Sequence, residues 1–150
     1  MYAIEIAMQA TVVSDIEVRT SEAGRPWCSF RVAANERIQN RITGEWSDGE
    51  STYLTVKCWG RLAENVAASV EKGQPVVING RLNQRHYERE TDGRHVRGST
   101  LEVSARAIGH DLSKGAASFQ RTKSGAVQRA EGRALAEATA GMVDGTPPPF

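Results

Sequence analysis

Apolar residues recur at every second position over most of residues 4–108. A period of two belongs to strands with one buried and one solvated face, and such strands need a second layer or must close on themselves. Residues 4–13 are the first candidate, continuing through Ile16, Val18 and Arg19 after an irregularity at Ser14 and Asp15. A turn at Ala23, Gly24 and Arg25 follows, where Pro26 is expected to block pairing. Over 27–35, Cys28, Phe30, Val32 and Ala34 share the inward parity, and Trp27, Ser29, Arg31, Ala33 and Asn35 the outward one. The polar stretch 36–51, with Thr43-Gly44 and Asp48-Gly49, predicts a long hairpin loop. Further strands are predicted at 53–59, 75–87 and 96–108, the last two joined by a turn at Asp92-Gly93.

Only one segment has helical spacing. After Gly60, Leu62, Val66 and Val70 recur every fourth residue with Ala63 and Ala67 beside them, and Lys72-Gly73 supplies a stop. Three strands, a short helix and two strands predict an all-β chain of the OB type. That fold is a five-stranded Greek-key barrel whose sheet face and loops commonly bind oligonucleotides or oligosaccharides. An antiparallel sheet covered by the helix in another α+β topology is the alternative.

The pattern stops near Leu112, beyond which Gly, Ala, Ser, Thr and Pro dominate. The expected organisation is a folded body over 1–112, an added strand within 113–123 built around Phe119 and its Ala/Ser neighbours, and a disordered tail over 124–150. In that tail AEGRALAEATAG offers little but Ala to bury, and TPPPF cannot be helical. No apolar run approaches a membrane span, and MYAIEIAMQA lacks the layout of a signal peptide, so the expected location is the cytoplasm. Cys28 and Cys58 form neither a disulfide framework nor a CxxC pair and read as buried thiols. The net charge of +1 gives no overall basic footprint. The body holds 14 Lys or Arg against 15 Asp or Glu, and residues 113–150 hold 5 against 3, so any cationic surface must come from local arrangement.

Two stretches supply that arrangement. Parity in 53–59 puts Tyr53, Thr55, Lys57 and Trp59 on one face, with Leu54, Val56 and Cys58 on the core side. In the next strand Arg81, Asn83, Arg85, Tyr87 and Arg89 share a face. Rings interleaved with cations are what unpaired bases and their phosphates require, and each stacked base is worth roughly 1–3 kcal/mol. The bland readings are that Tyr and Trp favour strands anyway, and that charge protects a solvated edge. Arg37 and Arg41 in the polar stretch are placed to close over a bound strand. Trp46 there calls for a ligand or another subunit. His86, His95 and His110 are scattered, with no metal-ligand spacing, and no glycine pattern matches a nucleotide loop. Asp15 with Glu17 and Glu88 with Glu90 read as surface carboxylates, so neither an enzyme nor a cofactor is expected.

Several stretches together resemble the bacterial single-stranded-DNA-binding protein family over nearly all of 1–112. They are DIEVR (15–19), FRVAANER (30–37), TGEW (43–46), TYLTVKCWGRLAENV (52–66), KGQPVVINGRLNQRHYE (72–88) and LEVSARAIG (101–109). The resemblance implies an OB-fold homotetramer that wraps single strands without sequence preference in replication, recombination and repair, associated with the nucleoid. It also implies stacking roles for Tyr53, Trp59 and Tyr87, the rings already picked by parity, and basic contacts from Arg61, Lys72 and Arg85. A fourth stacking position is Ile38 here, with Trp46 the candidate to replace it. His86 stands where some members carry Lys, which implies a smaller salt dependence, and Leu54 where several carry an interface His.

The segment after Gly109 is similar to an extension in actinobacterial members that clamps subunits together, which places a clamp strand at 115–121. The end MVDGTPPPF has the Pro149-Phe150 pair by which members recruit replication and repair proteins. Its only acid is Asp144, implying weaker recruitment, as in an accessory paralogue. The competing reading in another class is an oligomeric OB scaffold whose aromatics make subunit or partner-protein contacts.

Overall fold

Each apolar alternation forms a strand, and most strands run longer than their apolar cores. The computed structural model describes residues 2–122. In chain order the elements are β1 (Ile4–Val12), β2 (Val18–Thr20), β3 (Pro26–Gln39), β4 (Trp46–Trp59), α1 (Arg61–Ser69), β5 (Pro75–Thr91) and β6 (Arg94–His110). Pairing runs β1 to β5, β5 to β6, β6 to β4 and β4 to β3, and β3 returns to β1 through Thr11↔Ala33 and Val12↔Val32. Five strands therefore close into a ring, the barrel expected from the element order. All pairs in the ring are antiparallel except β4 with β6.

The irregularity after β1 is an organised corner. Ser14 accepts the Arg31 backbone N–H through its hydroxyl at 2.8 Å, and Val13 donates to the Arg31 carbonyl. The chain then re-enters the sheet as β2 along the far edge of β3, with Val18 opposite Cys28. Pro26, expected to block pairing, instead starts β3 opposite Thr20. A strand's first position needs no N–H from proline, and its carbonyl accepts from Gly60.

The ring encloses Val12, Phe30, Val32, Val56, Val76, Ile78 and Val103, each essentially removed from solvent. Full burial of side chains of this size stabilises by roughly 1.5–3 kcal/mol apiece. Helix α1 adds Ala63 and Val66, with Val70 at its C-cap, and begins after Gly60, whose φ of 66° suits glycine. Cys28 and Cys58 are directly opposed on β3 and β4 and fully buried. The hydrogen bond with Cys28, together with burial, pushes the Cys58 thiol up, so it stays protonated at neutral pH. Ala33, assigned outward by parity, is buried as well, where β3 is flanked by both β1 and β4.

The stretch 36–51 is not a long loop. β3 and β4 continue as a ladder to a short turn over 40–45, in which the Asn40 carboxamide accepts from the Ile42 backbone and Gly44 takes a φ of 72°. Both faces of this arm are almost wholly exposed, so alternation could not announce it. The β5–β6 hairpin likewise extends to Thr91 and Arg94 around Asp92 and Gly93, both at positive φ as a type I′ turn requires. β6 ends in a turn where Asp111 accepts from the Ser113 hydroxyl at 2.6 Å and its backbone N–H at 3.0 Å. Those bonds hold the Asp111 carboxyl below the usual carboxylate range. The compact unit extends through Ala116. Residues 115–122 form no strand in the single chain, and the tail expected over 124–150 lies outside the described residues.

Candidate nucleic-acid interface

Because Leu54, Val56 and Cys58 enter the core, Tyr53, Thr55, Lys57 and Trp59 face outward, as parity requires. Their directly opposed partners on β3 are Ala33, Arg31, Ser29 and Trp27. On the other side β6 sets Glu102 beside Thr55, and β5 sets Arg85 and Tyr87 opposite Thr100 and Gly98. A groove crosses all of these strands, from Arg19 on β2, past Trp27, Arg31 and Lys57, to Glu102, Arg85 and Tyr87. Asp15 and Glu17 also line it.

Aromatic rings stand at both ends of this groove. Trp27 and Trp59 are opposed across β3 and β4, and their rings stack with centroids 5.8 Å apart and planes 28° from parallel. The Arg25 guanidinium sits 5.9 Å from the Trp59 centroid. At the β5 end the Tyr87 ring lies against Gly98, where a Cβ would overlap it, and Arg89 stands 5.2 Å from its centroid. Tyr53, Trp59 and Tyr87 are 54%, 42% and 37% exposed, so none is spent on the core. Burying them by stacking on bases recovers apolar area that the folded chain leaves in water.

Between the rings lies a polar strip. Arg31 donates to the Thr55 hydroxyl at 3.0 Å. The two carboxylate oxygens of Glu102 each take a different cation, Lys57 Nζ at 3.4 Å and Arg85 Nη1 at 3.6 Å. Of the residues singled out from sequence, the groove thus gathers Lys57, Arg85 and Tyr87. Trp59 joins through Trp27, and Arg89 through Tyr87.

Others are placed elsewhere. Arg61 opens α1 and Lys72 lies in the turn after it, both exposed and outside the groove lining. Arg81 is exposed on β5, opposite Glu5 of β1 and Ser104 of β6. Arg37 and Trp46 occupy the β3–β4 arm, with Trp46 59% exposed. A register shift between Asn35 and Arg37 inserts one extra residue on the β4 side. Arg37, Asp48, Gln39 and Trp46 therefore share one face of the arm, and Ile38 with Ser47 takes the other. Trp46 and Ile38 thus stand on opposite faces. Leu54 lies in this chain's own core. Pro149 and Phe150 fall outside the described residues.

Trp27, Arg25, Gly98 and Glu102 were not singled out from sequence. Trp27 carried the outward parity, but its meeting with Trp59 depends on hairpin register. Among the described residues no three His, Cys, Asp or Glu gather as a metal-ligand set. No helix among them is long and apolar enough to cross a membrane.

The model of the single-strand binding protein family matches residues 5–111. The single-stranded DNA-binding protein of Corynebacterium glutamicum is 42% identical over 121 residues, covering 80% of this chain and 52% of that relative. The crystal structure of the small single-stranded DNA-binding protein from Streptomyces coelicolor superposes with a TM-score of 0.67 at 34% identity, covering 77% of this chain and 99% of that one. The second such protein from Mycobacterium smegmatis gives 0.62 at 30% identity, covering 80% and 100%. The barrel is therefore an OB-fold. The chain spans 52–63% of the length of the first curated relatives it matches.

Proposed function

Since the chain belongs to the single-strand binding protein family, we propose that it binds single-stranded DNA without sequence preference, as a coating and protecting protein in replication, recombination and repair. The observation that carries this reading is the groove itself, with exposed rings at both ends and cations between them on one outward face of the barrel. Stacking on rings is tolerant of sequence because every base has a π-face, and phosphate contacts ignore sequence altogether. No bond is made or broken in this account, so the protein acts as a binder and needs no cofactor. DNA-binding roles are assigned to Tyr53, Lys57, Trp59, Arg85, Tyr87 and Arg89. Arg37 and Trp46 on one face of the β3–β4 arm, with Arg61, Lys72 and Arg81 elsewhere on the surface, extend the path.

A homotetramer is supported by a second surface depression lined by Ala7, Val77, Ala107 and Ile108, apolar area that a subunit would cover. Residues 115–121 would serve as the clamp strand across it. Pro149 and Phe150 would contact replication and repair proteins. The nucleoid within the cytoplasm is the corresponding location.

Fluorescence anisotropy of labelled oligo-dT against a duplex of equal length, with tryptophan emission followed in parallel, tests the central activity. Tight dT binding with quenched emission and little duplex affinity is expected. Weak or equal binding to both would put the scaffold reading in its place.

A further inference from the structure

Lys57 and Arg85 both line the groove, and both are drawn to the same carboxylate. Glu102 lies between them with a side chain only 16% exposed, and holds Lys57 on Oε2 at 3.4 Å and Arg85 on Oε1 at 3.6 Å. This juxtaposition comes from topology. Glu102 is opposite Asn83 on β5 and level with Thr55 on β4, one step along its own face from Lys57 and from Arg85. The Lys57 side chain is 27% exposed, so that pair is partly withdrawn from water and weakly screened. Arg85 is 66% exposed and its pair is correspondingly loose.

We propose that Glu102 sets the electrostatic character of the groove, by neutralising Lys57 and weakening Arg85 so that the strip between the stacking rings receives base edges and not phosphates. This rests on the single-strand binding reading above and adds to it a residue that positions bases and phosphates. The rest of the groove accords with this assignment. Asp15 and Glu17 add two more acids to a lining whose remaining cations are Arg19 and Arg31, and Arg31 is already engaged with Thr55. A backbone lying along the strip would meet little net positive charge. Phosphates would instead track Arg19 at its β2 margin and Arg89 beside Tyr87, with the bases turned inward between the Trp27–Trp59 stack and Tyr87.

Counterion release makes the proposal measurable. For single strands each phosphate contact adds about 0.7 to the negative slope of log affinity against log salt. A neutralised Lys57 contributes nothing to that slope. In the Glu102→Gln variant the shape is kept and the charge removed, so Lys57, and in part Arg85, become available to phosphate.

The experiment is a salt series of oligo-dT titrations by anisotropy on the full chain as wild type, Glu102→Gln, Lys57→Met and the double variant. Thermal unfolding of each is recorded alongside. The expected result is dT binding by the wild type and a slope steeper by about 0.7 or more in Glu102→Gln. Lys57→Met alone should lower the slope by less than about 0.7, because Glu102 then bears on Arg85 alone, and in the Glu102→Gln background it should take back about 0.7. A merely structural role for Glu102 would shift affinity equally at every salt concentration and leave the slope alone.

An unchanged or shallower slope in Glu102→Gln would overturn the proposal while leaving the binding function intact. So would a full loss of about 0.7 on removing Lys57 from the wild type. Should Glu102→Gln fail to fold, Glu102→Ser, which removes the same charge with a smaller side chain, is titrated in its place and judged by the same slope. Absence of dT binding by the wild type would remove both this inference and the function it rests on.

Discussion

The closed barrel and the two hairpin arms that grow from it are made of the same strands, yet they follow different rules. In β5 the inner half alternates, with Val76, Ile78 and Gly80 buried and Val77, Asn79 and Arg81 exposed. From Asn83 to Thr91 every residue is exposed. β3 and β4 behave likewise, with burial at Cys28, Phe30, Leu54 and Val56 and an exposed ladder from Asn35 to the turn and back to Tyr53, broken only by half-buried Gly49. The barrel half is held by apolar burial. The arms are held by cross-strand hydrogen bonds and local pairs such as Ser51 with Asn35 at 2.7 Å and Arg97 with Glu88 at 3.2 Å. Residues of the arms and of the outward face are thereby available to a ligand, because the core does not use them.

That division predicts substitutions that separate stability from binding. Phe30→Ala, which empties the middle of the barrel at a residue 2% exposed, should cost about 3–5 kcal/mol of unfolding free energy in a denaturant titration. Binding should suffer only in proportion to the fraction unfolded. Tyr87→Ala should do the reverse, weakening oligo-dT binding by about 1–3 kcal/mol while the unfolding midpoint hardly moves. A drop in midpoint comparable to that of Phe30→Ala would erase the distinction between the two regions.

Gly98→Ala is a finer instrument. The added methyl would overlap the Tyr87 ring, and because a side chain can swing aside more cheaply than a strand can shift, the ring should leave its seat on β6. A loss of dT affinity of about 1 kcal/mol is expected, absent when Tyr87 is already alanine. An equal loss in that background would mean that Gly98 acts some other way.

The smallest effect concerns the barrel's end. The Asp111 carboxyl is held below its usual range by the Ser113 hydroxyl and backbone N–H, so its contribution is present above the ordinary value of about 3.9. It is lost as pH falls through the depressed folded value. Wild-type stability should therefore decline more steeply below about pH 4 than that of Asp111→Asn. Equal acid limbs in a pH series of denaturant midpoints would count against it.

The same division explains which parts of the molecule were legible in the sequence. Where one face is buried, the alternation of Leu54, Val56 and Cys58 against Tyr53, Lys57 and Trp59 fixed strand, parity and outward residues together. In the arms neither face is buried, so residues 36–51 offered no period and suggested a loop, though they form a ladder with a short turn. Pairings that depend on register or on distant strands left no local trace. Trp27 meets Trp59 only through the closed β3–β4 hairpin, and Glu102 meets Lys57 only because β6 lies parallel to β4. Glycine at position 98 means nothing until Tyr87 is placed across from it.

The most direct test of the stacking face is photocrosslinking of an oligonucleotide carrying 5-bromodeoxyuridine at successive positions, with the adducts located by mass spectrometry. The account predicts adducts on Trp59, Tyr87 and Tyr53, with Trp27 next to Trp59 as a further site, and their loss when unlabelled oligo-dT is in excess. Adducts confined to the apolar patch around Val77 and Ala107, or an absence of adducts on all four rings, would contradict it.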